Sequence, residues 1–250
     1  LVGRPAPVLV LTRGEQARAA AAVALIALLA VYMAGHERLW SAGIGWDVAF
    51  VAVVLLPLMF ALPGLALPLR AVPLPLLGAG FVSLAGGAAV AEAWGADIPA
   101  SFLKLAAATA LGFIAVGLLE QVLWVAGIAV VVPVIDTLSV WRGPTRHLVD
   151  ERQDIFTAFS IAFPIPGEHA AAGLGLPDFL FFAVFLASAA RWGLRTGLTW
   201  VAMTTSFGVT LALAAYTELL GGDGLPALPL LCIAFLAVNG DLLLRRLRAS

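Results

Sequence analysis

The stretch "GLGLPDFLFF", residues 173–182, decides how this chain is read, because it sets one carboxylate, Asp178, inside an otherwise apolar run. An Asp at the centre of a membrane helix costs about 2.5 to 3.5 kcal/mol on translocon scales, so such a group is paired, neutral or facing a wet cavity. Two properties of Asp178 then matter: the solvent around it and the group that partners it.

The solvent follows from composition. With 62% hydrophobic residues, 12% charged residues and a mean hydropathy of +1.04, the chain holds more apolar surface than a single soluble core can bury. It reads as an all-α, polytopic transmembrane helix bundle. A net charge of −1 gives no electrostatic footprint for nucleic acid, and the single cysteine, Cys232, excludes an internal disulfide or a cysteine metal site. Thirteen arginines against one lysine, with abundant Ala, Gly and Leu, match the usage of a GC-rich prokaryotic genome.

A bilayer core needs about 20 apolar residues per helix. Eight segments qualify, roughly 19–35, 48–69, 72–93, 101–117, 121–141, 171–190, 196–219 and 226–244, each bounded by charge, Gly or Pro. The seven tryptophans fall near the ends of these segments, as expected of rings that favour the headgroup level. The first segment follows Arg4, Arg13 and Arg18 and reads as a retained anchor rather than a cleaved leader. The simplest organisation is one membrane domain: an N-terminal stretch 1–18, four helices within 19–120, and a second half, 121–250, with four helices and a long loop at 142–170. Nine Lys and Arg residues lie on the side of the termini and five on the other. The positive-inside rule then predicts cytoplasmic termini and an external 142–170 loop in a cell membrane.

Most of the fifteen acidic residues lie in loops or within a turn of a predicted helix end, and Glu92 and Asp47 are read that way. Two lie deep: Asp178 and Asp136, the latter in "VVPVIDTLSVW", residues 131–141. Asp136 precedes Trp141 by five residues, about 8 Å along a helix, and Asp178 enters from the same loop to similar depth. Pro133 is expected to loosen the first helix one turn before its acid, and Pro177 fits a first helical position. A third element starts on the same face, "GLPALPLL", residues 224–231, where Pro226 and Pro229 are expected to leave backbone groups around Ala227 and Leu228 unpaired.

"VIDTLSVW" followed by a long loop, "LGLPDFLFF" and "LPALPLL" resemble, in order and spacing, the three motifs of the presenilin and signal peptide peptidase family of intramembrane aspartyl proteases. The resemblance covers residues 133–240. It implies that Asp136 and Asp178 are the catalytic pair and that Gly175, Leu176, Pro177, Pro226, Ala227 and Leu228 contact substrate. It implies no metal or other cofactor, and a transmembrane peptide as substrate. Three departures stand out: Ile135 occupies the place of the family's tyrosine, Pro177 that of its second motif glycine, and eight helices are found where nine are usual.

The chemistry implied is that of two carboxylates sharing one proton, one acting as base toward water and the other as acid toward the peptide carbonyl. A substrate helix must unwind before water can attack, and its freed backbone needs a partner. Residues 156–166, "FTAFSIAFPIP", alternate with a period of two, with Phe159, Ile161 and Phe163 on one face. This is either a strand whose edge accepts an extended peptide or an apolar segment lying on the membrane surface. His36, His147 and His169 lack ligand spacing and read as solvated. A catalytically silent relative that binds membrane segments, and a proton-coupled transporter using the same acids, are the competing functions. The transporter lacks support from internal repeats.

Overall fold

Each of the eight apolar segments folds as a helix in the computed structural model, which describes residues 12–41, 43–142, 159–167, 171–219 and 226–248. α1 spans Arg13–Gly35, six residues earlier than hydropathy alone predicts. The reason is a capping box: Glu15 accepts the Thr12 N–H at 2.8 Å, while Thr12 Oγ1 accepts the Glu15 N–H at 3.3 Å. α2 spans Ile44–Ala71, with a π-helical stretch Val51–Leu55 and a 3₁₀ end Leu67–Ala71. Then follow α3, Leu74–Ala93, α4, Asp97–Leu118, and α5, Val122–Arg142. A hairpin of β1, Ser160–Pro164, and β2, Ala171–Gly175, precedes α6, Leu176–Arg191. α7, Thr196–Leu219, and α8, Leu228–Leu247, complete the bundle.

Six of these helices are long and apolar enough to cross a membrane by length and composition. The chain is a multi-pass membrane protein. α6, with 16 residues, is roughly 24 Å long, and it is the centre of the bundle. Phe179 and the unbroken run Phe182–Ala189 are all buried, so α6 has no lipid face over that length. It touches α2, α4, α5, α7 and α8, whereas α3 packs chiefly on α4 and α5 chiefly on α8.

Two devices fix α6. Phe60 of α2 sits among Phe182 (ring centroids 4.2 Å), Phe207 (4.8 Å) and Phe179 (5.0 Å), joining α2, α6 and α7. On the other side Gly112 of α4 brings the two backbones together: a Cβ there would lie 2.7 Å from Ala183 Cβ and 2.9 Å from the Leu180 carbonyl oxygen. At the end of α6 the connection to α7 is stapled to α8. Asn239, fully buried, accepts the Arg195 N–H at 3.1 Å and donates to Thr199 Oγ1 at 2.8 Å.

Several sequence expectations change. Residues 171–175 are a strand, so the sixth helix begins at Leu176 rather than at 171. Gly173 and Gly175 weaken any helix there, and β1 supplies backbone partners instead. α5 runs unbroken through Pro133, and Thr137 Oγ1 donates to the Pro133 carbonyl at 2.7 Å. Trp40, Trp46, Trp94 and Trp124 are exposed, but Trp200 is half-buried and donates Nε1–H to the Phe60 carbonyl at 2.9 Å, tying α7 to α2. His36 is also half-buried, its Nδ1 2.8 Å from the Met33 carbonyl. Asp47 is buried rather than solvated, with Ser41 donating to it at 3.1 Å. His147 and His169 lie outside the described residues.

Candidate functional site

Three chain segments far apart in sequence meet where α5, α6 and α8 approach one another. α6 begins with Gly175 as N-cap, then Leu176, Pro177 and Asp178 as its first three residues. The first N–H groups of any helix lack intrahelical acceptors, so Pro177 fits its second position as comfortably as the first. Asp178, third in the helix, reaches back and accepts the Gly175 N–H at 3.1 Å. An acid at this position satisfies an orphan donor and sits at the positive end of the helix dipole. Gly175 itself has ordinary extended dihedrals, φ −67° and ψ 145°, so its conformation does not demand glycine.

Asp136 lies in the last two turns of α5 and is half-buried. Its Oδ2 accepts the backbone N–H of Leu228 at 3.3 Å. Leu228 is the first residue of α8, with Pro229 second, so the helix begins two residues later than the predicted 226. Its orphan N–H finds a carboxylate. α5, α6 and α8 all contact one another, and Cys232 lies one turn further along α8 from Leu228. Pro226 and Ala227 are half-buried beside this contact.

The loop expectation resolves to a strand. β1 pairs antiparallel with β2, Ser160 opposite Gly175, Ile161 opposite Leu174 and Phe163 opposite Ala172. Leu176 donates to the Phe159 carbonyl at 2.9 Å, extending the ladder to the start of α6. Ile161 is fully buried while Phe159 is 63% exposed, so the two do not share a buried face. Phe159, Leu176 and Pro177 instead line a groove of about 540 Å³ between α3, α4 and α6, with Phe81, Lys104 and Phe181 among its other walls.

The outer edge of β1 is occupied. Tyr32 of α1 donates its hydroxyl to the Pro164 carbonyl at 2.7 Å, and Lys104 of α4 donates to the Ser160 carbonyl at 3.3 Å. Because bonded and non-bonded pairs alternate in an antiparallel ladder, Gly173 turns its N–H and C=O away from β1, toward the outer edge of β2. That edge ends at Gly175 and Asp178.

Lys104 and Glu92 were missed in sequence. Lys104 is 7% exposed and forms an ion pair with Glu92. Both read as helix-end charges because the fourth helix seemed to start at 101; it starts at Asp97, which carries Lys104 two turns inside. An unpaired charge is rare at such depth, and the lone lysine facing a Glu across a short turn was the available signal. Ile135 is 61% exposed. Among the described residues no three His, Cys, Asp or Glu side chains gather closely enough to hold a metal ion. Comparison with models of known protein families and with curated proteins gives no match to this chain.

Proposed function

We propose that this chain is an intramembrane aspartyl protease that hydrolyses a peptide bond within a transmembrane segment, using Asp136 and Asp178. The observation that carries the reading is the meeting of three motifs at one point. The Leu228 N–H of the "PAL" segment is on Asp136, and α6, which opens with the "LPD" segment, packs against both α5 and α8. Helix packing alone gives no reason for two carboxylates to share a membrane-embedded site, since a carboxylate is costly there.

In this reading one carboxylate is ionised and the other protonated. The ionised member takes a proton from water as the water oxygen bonds to the peptide carbonyl carbon, and the neutral member gives its proton to the carbonyl oxygen. Collapse of the gem-diol breaks the C–N bond, with a proton passing to the departing nitrogen. The pair titrates as a unit, so neither role is assigned to one residue. The outer edge of β2, around Gly173 and Gly175, receives the unwound substrate backbone by strand addition, since the outer edge of β1 already carries Tyr32 and Lys104. The termini are cytoplasmic and the hairpin side external, in a cell membrane, as the arginine distribution favours.

A second reading is a silent relative that binds membrane segments without cutting them. It is favoured by Pro177, which removes a backbone N–H beside Asp178. The deciding experiment incubates the purified chain in proteoliposomes with reporter transmembrane helices and identifies products by mass. New termini inside the apolar segment of the reporter are expected; binding without any cleavage of a panel of reporters would leave the silent relative.

A further inference from the structure

Lys104 is the chain's single lysine and lies buried in α4. An ammonium in such a place is held by partners, and it has one on each side. Glu92 of α3 pairs with it, and the Ser160 carbonyl of β1 accepts from it at 3.3 Å. If Lys104 served only to join α3 to α4, Glu92 would suffice. The bond to β1 adds a different consequence, because of what Ser160 faces across the hairpin.

Ser160 stands opposite Gly175. Gly175 is the residue whose N–H donates to Asp178 Oδ2, and the neighbouring pair is bonded directly, Leu176 N–H to the Phe159 carbonyl. A short relay of contacts therefore runs from Glu92 through Lys104 to Ser160, across the ladder to Gly175 and on to Asp178. The far end of β1 is fastened separately, by Tyr32 on Pro164 and by the Gly167 N–H on the His36 carbonyl at 2.8 Å. Two anchors, one at each end, fix both the position and the register of a two-stranded ribbon that by itself is marginal.

We propose that Lys104, oriented by Glu92, is a positioning residue that holds the β1–β2 hairpin in register and thereby aims the carboxylate of Asp178. The importance of that aim rests on Asp178 being a working acid, as argued above. The tether does not, and it has its own readout. Lys104 bonds to Glu92 and to the outer edge of β1, so its replacement alters neither carboxylate of the acid pair nor the backbone of β2. What changes is where the edge and the acid sit relative to each other.

The test uses the full chain in nanodiscs and two variants, the double Lys104→Met, Glu92→Gln, which removes both charges of the ion pair, and Glu92→Gln alone, which carries the same readouts should the double variant not fold. Hydrogen exchange is followed by mass spectrometry. The amides of 160–163 and 171–176 are expected to exchange about tenfold faster in the double variant, with α7 and α8 unchanged. On a reporter helix, kcat is expected to fall about tenfold with KM held within about twofold, and cleavage to spread to neighbouring bonds. Lys104→Arg, which keeps the charge, is expected to restore most of the rate and the single cut. Hairpin exchange within about twofold of wild type would overturn the tether. A loosened hairpin with undiminished kcat would overturn the positioning role. A wild type that cuts no reporter would remove the protease reading, and the exchange arm would still decide the tether.

Discussion

The backbone N–H of Leu228 meets Asp136 Oδ2 at 3.3 Å across 92 positions of sequence. One oxygen of Asp136 is thus oriented by the start of α8, as one oxygen of Asp178 is oriented by Gly175 at the start of α6. Each acid is oriented through one oxygen by an N–H at the start of a helix. Asparagine conserves the shape and the acceptor but cannot exchange a proton. Asp136→Asn and Asp178→Asn are each expected to lower reporter cleavage by about 10²-fold or more, the scale of general acid–base catalysis, with unfolding temperature and elution profile close to wild type. Activity above about a tenth of wild type in either variant would point to a different mechanism.

The cluster Arg191, Arg195, Arg245, Arg246 and Arg248 lies at the end of the bundle opposite the hairpin. There Arg191 donates to the Val116 carbonyl, Arg246 to the Trp192 carbonyl, and Arg195 forms a bidentate pair with Asp241 at 2.7 and 2.8 Å. The Asp241 carboxylate raises the Arg195 pKa further above its ordinary value, so this end stays cationic at any cellular pH. A cysteine placed at position 150, between α5 and β1, on a Cys232→Ala background is expected to react with an impermeant maleimide in intact cells. Cys232 itself is fully buried. Labelling seen only after lysis would invert the topology.

Gly112 is where α4 and α6 touch backbone to backbone. The nearest obstacles to a Cβ are Ala183 Cβ at 2.7 Å and a main-chain oxygen, Leu180 O, at 2.9 Å, and neither can swing aside as a flexible side chain would. Gly112→Ala is expected to destabilise the bundle by about 1 to 3 kcal/mol, the usual range for overpacking. It also pushes on the helix that carries Asp178. Thermal unfolding in detergent measures the first effect, and an unshifted transition would show that α4 and α6 separate freely.

Asn239 tests the opposite end of α8. Its amide serves the Arg195 N–H, the Thr199 hydroxyl and the Phe235 carbonyl, all from a fully buried position. Asn239→Leu takes the acceptor from the Arg195 N–H and the donor from Thr199 Oγ1, at about 1 to 3 kcal/mol for each buried group left unsatisfied. A clear loss of thermal stability is expected. Cleavage measured well below the transition should be retained, since eleven residues, roughly 16 Å of helix, separate Asn239 from Leu228. Loss of cleavage without loss of stability would mean that the two ends of α8 are coupled.

Hydropathy located all eight helices because a bilayer demands about 20 apolar residues whatever their identity. It misplaced starts where polar residues open a helix, as with the Thr12–Glu15 capping box of α1 and the first turn of α4 at Asp97. The acids were legible for the same reason that they are expensive. Lys104 and Glu92 were not, because a charge near a helix end looks solvated until the packing of α3 on α4 is known. The hairpin fell between: period-two alternation marked β1, but "AAGLG" carries no alternation, and β2 exists because β1 lies beside it.

Pro177 offers the sharpest test of whether this site cuts. It is the second residue of α6 and exposed on the wall of the groove between α3, α4 and α6. If the absent N–H limits access of substrate to the acid pair, Pro177→Gly should raise cleavage. If proline serves to start α6 cleanly, glycine there adds unfolded-state freedom and loosens the turn that aims Asp178, so activity should stay level or fall. The geometry favours the second outcome. Gly175 is already the N-cap and its N–H is spent on Asp178, so an N–H at 177 would add a donor one residue inside the helix, turned toward the groove rather than the outer edge of β2. A fall of up to about threefold is expected, with a lower unfolding temperature from the roughly 0.4 to 1 kcal/mol that a compatible proline contributes. The measurement compares both proteins on one reporter helix across several pH values. A silent wild type awakened by glycine would mean that the chain as it stands binds membrane segments and does not cleave them.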